Sequence, residues 1–148
     1  MNPTGGMLRN DSWGSGHFGA SRGSRIHRGV DVTGIPGSYV VAPAAGRVVR
    51  SGYPYADDDG PWNCYLLIRE PDGTEWRLFY VSPLPGVIGS DVVRGQVVAQ
   101  LADVSEKYGD SRGGRRMLPH CHVEQIVNGK RIDPSPVILH GKAGATDA

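Results

Sequence analysis

A chain of 148 residues suits a single domain, and its 39% apolar content is enough to bury a core without disulfides or oligomerisation. Sixteen basic residues against fifteen acidic ones leave a net charge of +1, which argues against a nucleic-acid coat protein and against an acidic tail. Twenty-two glycines and eleven prolines, with only three methionines and two phenylalanines, exclude a helical bundle and point to an all-β, turn-rich protein with few or no helices.

The first residues, 1–13, are glycine-rich and polar without periodicity, and read as an extended N-terminal arm anchored by Trp13. They lack the charged head and apolar run of a secretory signal, and no later stretch is long enough to span a bilayer. The expectation is a product made in the cytoplasm, carried by a virion or released at lysis.

From Val30 onward, short apolar runs alternate with turn residues: Tyr39 to Ala42, Arg47 to Val49, Cys64 to Ile68, Trp76 to Val81, Gln96 to Leu101 and His120 to Val127. Ala45-Gly46, Pro71-Asp72-Gly73 and Asn128-Gly129 read as hairpin turns, the last leading into Lys130 to Ile132. Together these runs predict a compact antiparallel sheet stack over residues 14–139. Asp103 to Met117 reads as a surface loop, and 140–148 as a mobile tail that includes an exposed His140. Cys64 and Cys121 are expected as free thiols. Trp62, Trp76 and Phe79 are expected to fill the core.

The chemistry concentrates in two short segments. In an extended His27-Arg28-Gly29-Val30-Asp31, side chains four apart share a face, and Gly29 between them leaves room for a ligand. In His120-Cys121-His122 both imidazoles share a face and Cys121 points to the other. Three nitrogen and oxygen ligands with a spare histidine beside them fit a zinc ion that keeps one position open for water. A His-x-His arises readily by chance in a chain with five histidines, so the motif alone decides little. His17 reads as an ordinary loop histidine. Asp57-Asp58-Asp59 lacks the spacing of a calcium loop and reads as a solvated acidic turn. Arg112, Arg115 and Arg116 read as a solvated loop.

The surroundings carry more. His27-Arg28-Gly29-Val30-Asp31 is followed by Gly37-Ser38-Tyr39-Val40-Val41-Ala42-Pro43, then Gly46-Arg47-Val48, then Val92-Val93-Arg94-Gly95-Gln96, and last Pro119-His120-Cys121-His122-Val123-Glu124. In kind and order these segments resemble the lysostaphin/LytM-type zinc metallopeptidases. The resemblance implies Zn2+ held by His27, Asp31 and His122, with His120 as a catalytic residue facing the scissile peptide. It also implies a peptidoglycan endopeptidase, its partner the wall peptide.

One departure stands out: catalytic members carry a histidine in a Tyr-x-His-Leu stretch, and Ser82 occupies that place in Tyr80-Val81-Ser82-Pro83. The same gap marks the non-catalytic leukocyte cell-derived chemotaxin branch. The segments Gly14 to Arg22, Gly52-Tyr53-Pro54-Tyr55 and Phe79 to Leu84 also resemble that branch. Two readings therefore stay open: a wall endopeptidase, phage- or lysis-associated, and a non-catalytic zinc-binding interaction or structural module with protein partners in a larger assembly. Neither involves nucleic acid or a membrane span. In the first, Tyr80, Tyr55 and Ser82 are candidates for contact with the substrate or the oxyanion.

Overall fold

The computed structural model describes residues 1–53, 64–106 and 117–140. Tyr55, Asp57 to Asp59, Trp62, Arg112, Arg115, Arg116 and the 141–148 tail lie outside the described residues.

Fourteen strands, one turn of 3-10 helix (Val104–Glu106) and one α-helical turn are described. Two small ribbons come first: β1 (Asn10–Asp11) with β2 (Gly14–Ser15), and β3 (Ser21–Arg22) with β4 (Arg25–Ile26). Then follow β5 (Val30–Thr33), β6 (Tyr39–Val41), β7 (Gly46–Gly52), β8 (Tyr65–Arg69), β9 (Glu75–Phe79), β10 (Val81–Pro83), β11 (Asp91–Val92) and β12 (Val97–Leu101). The last are β13 (His120–Val127) and β14 (Lys130–Ile132), followed by the helical turn Ser135–Ile138. No helix among the described residues is long and apolar enough to cross a membrane.

The main sheet runs β11-β7-β8-β9-β13-β14, and a smaller one runs β10-β12-β6. All pairings are antiparallel, as the short alternating runs predict. Between the sheets lies a core of Val30, Val32, Val40, Val48, Leu66, Ile68, Trp76, Leu78, Val98 and Val123, all buried. Each such side chain contributes about 1.5–3 kcal/mol on leaving water. Trp76 satisfies its indole N–H by donating to Glu70 Oε2 at 2.8 Å.

Two of the three expected hairpins form. Pro71-Asp72-Gly73 joins β8 to β9, and Asn128-Gly129, both at positive φ, joins β13 to β14. The Ala45-Gly46 turn instead passes the chain from the small sheet to the large one, so β6 and β7 do not pair. Gly46 is required there because a Cβ would lie 2.3 Å from the Arg69 carbonyl oxygen. The expected single strand Trp76 to Val81 is also interrupted. At Tyr80 (φ 68°) the chain leaves the main sheet and continues in the small one as β10. The stretch after Asp103 does not start as a surface loop: Val104 and Ser105 are buried in a turn of 3-10 helix. His140 is exposed, and Cys64 and Cys121 are free thiols.

The N-terminal arm packs along β5. The Arg9 N–H donates to the Asp31 carbonyl, Leu8 bridges Val32, and the Met7 carbonyl accepts from the Thr33 N–H. Arg9, whose side chain is 3% exposed, is buried more deeply in this arm than the half-buried Trp13.

Candidate metal and catalytic site

β13 is the strand on which the site is built. Its first half pairs with β5 and its second half with β14, while β9 lies along its other edge. The register sets His122 opposite Asp31 on one side and opposite Phe79 on the other. His27 lies just ahead of β5, outside any strand, held by backbone bonds to Gly19 and Ala20. The side of Gly29 does not hold space for a ligand: a Cβ there would lie 2.3 Å from the Val123 carbonyl oxygen and 2.9 Å from the His122 ring. Glycine at this position lets β13 and its histidine close over the His27–Asp31 segment.

Three donor atoms converge. His27 Nε2 lies 3.1 Å from Asp31 Oδ1 and 3.0 Å from His122 Nδ1, and His122 Nδ1 lies 2.8 Å from Asp31 Oδ1. The outer ring nitrogens have their own partners: His27 Nδ1 meets the His17 carbonyl at 2.9 Å, and His122 Nε2 meets Glu124 Oε2 at 3.0 Å. Those acceptors suit the neutral tautomers whose ring protons lie on the outside, which leave the inner nitrogens with lone pairs for a cation. Three acceptors this close repel one another unless a positive charge sits among them. Two imidazole nitrogens and one carboxylate oxygen are the donor set that suits zinc or a similar divalent ion with an open fourth position.

A proton that His122 shares with Asp31 can supply that positive charge as well. Burial alone would favour neutral His122, yet hydrogen bonds to Asp31 and Glu124 and their charges overcome it and push its pKa up to about 9. Asp31 is disfavoured as an anion by burial, but the His120 charge and bonds from His122 and His27 hold its carboxyl well below the usual range. The site attracts positive charge.

A second layer fixes these groups. Arg9 Nε holds Asp31 Oδ2 at 3.0 Å while its Nη1 binds Asp11 Oδ1 at 2.6 Å. Asp31 thus presents Oδ1 to His27 and His122 and Oδ2 to the arginine. Gly16 permits this, since a Cβ there would come within 2.7 Å of Asp31 Cβ. Arg131 Nε donates to Glu124 Oε1 at 2.9 Å, which fixes the carboxylate behind His122. Arg9, Glu124 and Arg131 had no role in the sequence reading; of these, Glu124 shares the alternating face of His120 and His122 and was the one open to detection.

His120, 3% exposed, donates from Nδ1 to the Leu118 carbonyl at 2.8 Å and turns Nε2 toward Asp31 Oδ2, 3.7 Å away. Burial keeps its pKa below the ordinary histidine value against the pull of Asp31. The Tyr80 ring meets His120 edge-on, with centroids 5.3 Å apart. Phe79 lies edge-on to His122 at 4.9 Å and lines the cleft, so it does not serve the core alone. Ser82 is exposed on β10 opposite Gln100 and is not among the cleft's lining residues. His17 is exposed, and its contribution is the backbone carbonyl that orients His27. The cleft over the site measures about 350 Å³, and its lining includes apolar Ile26, Phe79, Tyr80 and Met117 together with Arg9, Arg22, Arg25 and Arg28.

The fold and this site define a metallopeptidase-type domain, and residues 25–134 match Peptidase family M23. The chain belongs to that family. It is 32% identical over 127 residues to an uncharacterized metalloprotease of Haemophilus influenzae, a match covering 84% of this chain and 24% of that protein. The chain thus spans about a quarter of that relative's length. Mouse leukocyte cell-derived chemotaxin-2 is 29% identical over 114 residues, covering 77% of this chain and 69% of the relative. Among solved structures, lysostaphin from Staphylococcus simulans superposes with a TM-score of 0.64 at 21% identity, covering 99% of this chain and 58% of that one. That likeness speaks for the fold.

Proposed function

We propose that this domain is a zinc-dependent endopeptidase that cuts the peptide cross-links of peptidoglycan. The observation that supports it best is the convergence of His27 Nε2, Asp31 Oδ1 and His122 Nδ1 beside a buried His120 at the floor of an open cleft. Zinc held there polarises a carbonyl and makes water a nucleophile near neutral pH. His27, Asp31 and His122 are its ligands in this reading. His120, with Nδ1–H tied to Leu118, keeps Nε2 available to take a proton from the attacking water and pass it to the leaving amine. Tyr80, whose ring packs edge-on against His120, is the residue that would offer its hydroxyl to the developing oxyanion in this reading.

Ser82 favours a second reading, a zinc-binding interaction module without catalysis, because the proton-transfer histidine of catalytic relatives is missing there. Release of free amines from purified bacterial walls by zinc-loaded protein, with His122→Ala as control, separates the two. Zinc-dependent release supports the endopeptidase. No release from several wall types, with zinc bound, supports the module.

A further inference from the structure

The chain as a whole is nearly neutral, but the cleft is not. Among the described residues, four arginines, Arg9, Arg22, Arg25 and Arg28, line it against two carboxylates, Asp31 and Glu124. Both carboxylates already have cationic partners, Asp31 in Arg9 and Glu124 in Arg131. The surplus lies at the rim, on the β3–β4 ribbon and the residue after His27.

On that ribbon Arg22 and Arg25 are direct cross-strand partners. Like charges facing each other across a ribbon destabilise it. Arg22 is drawn inward: its Nη2 donates to the Ser15 carbonyl at 2.8 Å and lies 3.9 Å from Asp31 Oδ2. Arg25 and Arg28 are exposed, and no carboxylate among the described residues pairs with either. They flank His27 by two residues and one, so a chain seated with its scissile bond at the site passes beside them. Ile26 between them is 64% exposed at the same rim and offers apolar contact.

We infer that Arg25 and Arg28 are specificity determinants that bind a free carboxylate of the substrate peptide next to the scissile bond, so that the preferred substrate is an anionic peptide. The planar guanidinium fork suits a carboxylate, and two forks on one rim suit a peptide carrying such groups close together. A neutral glycine bridge gives these arginines nothing to hold. This inference rests on the endopeptidase reading above and names its substrate class.

The test is binding of two synthetic peptides to the zinc-loaded full chain by calorimetry: a cross-link peptide containing diaminopimelate with free carboxylates, and the same peptide with those carboxylates amidated. The anionic peptide is expected to bind about tenfold tighter or better, with the preference shrinking as salt rises. Arg25→Ala with Arg28→Ala removes the preference, so that the anionic peptide binds no tighter than the amidated one. Zinc content and thermal midpoint show that the double variant is folded. Arg25→Lys with Arg28→Lys keeps part of the preference, because charge remains while the fork is lost. Equal affinity for both peptides, or a preference that survives the double alanine variant, overturns this inference alone. Binding of neither peptide overturns it together with the endopeptidase reading.

Discussion

Glu124 accepts the outer N–H of His122 at 3.0 Å from two residues further along the same strand. One strand thus supplies both a candidate ligand and the group that sets its tautomer. Glu124→Gln keeps the shape and loses the charge. Partners of this kind are worth roughly 10–100-fold in metal affinity. Competition against a chromophoric chelator is expected to show a loss in that range for the variant with its fold intact, and an unchanged affinity would mean that His122 does not bind the ion through Nδ1.

The ligand assignment itself is tested by metal content. His27→Ala and His122→Ala are each expected to abolish stoichiometric zinc, whereas His120→Ala retains it. For the unmodified chain, free zinc at a hundred times its Kd should stabilise by about 2.7 kcal/mol, and removal by EDTA should lower the thermal midpoint by roughly 5–10 °C. Zinc retained in both of the first two variants would sink the assigned site.

Arg9 is expected to matter more for stability than any surface arginine. Its removal leaves the Asp31 and Asp11 carboxylates without their buried partner. Breaking such a pair on one side costs about 3–5 kcal/mol. Urea denaturation of metal-free Arg9→Ala should show a loss of that order. Added zinc should recover part of it, because the ion supplies positive charge to Asp31. A loss below about 1 kcal/mol, the level of an exposed pair, would count against the clamp.

Ser82→His is expected to raise wall-peptide hydrolysis by roughly two to four decades if a proton-transfer group is what the cleft lacks. Single-turnover rates on a fluorogenic peptide measure it. Ser82 is exposed and paired with Gln100 at the edge of the small sheet, so the substitution should leave stability unaltered. A folded, zinc-bound variant with no gain would show that β10 does not bring this position to the substrate.

Much of the site was legible because its chemistry is local. His27 with Asp31, and His120 with His122, sit at short spacings, and alternation along β13 put both histidines on one face. The β8–β9 and β13–β14 hairpins were legible for the same reason, since their turn residues specify them. Ala45-Gly46 misled because turn chemistry says where a chain reverses, and not whether the flanking strands share a sheet. Tyr80 hid its break because an aromatic residue at positive φ has no signature in sequence. Arg9 was illegible for a different reason: its partner Asp31 is 22 residues away and meets it only once the arm has packed along β5.

The candidate ligands are far apart in the chain, His122 standing 95 residues from His27 and 91 from Asp31. A nascent chain still short of β13 therefore has two of the three candidate ligands and lacks His122. Loop closure over such a span is entropically costly and slow, so the pairing of β5 with β13 is expected among the late events of folding. Zinc uptake by the proposed ligands, and the proposed peptidase activity, are then expected only from chains whose synthesis has passed His122.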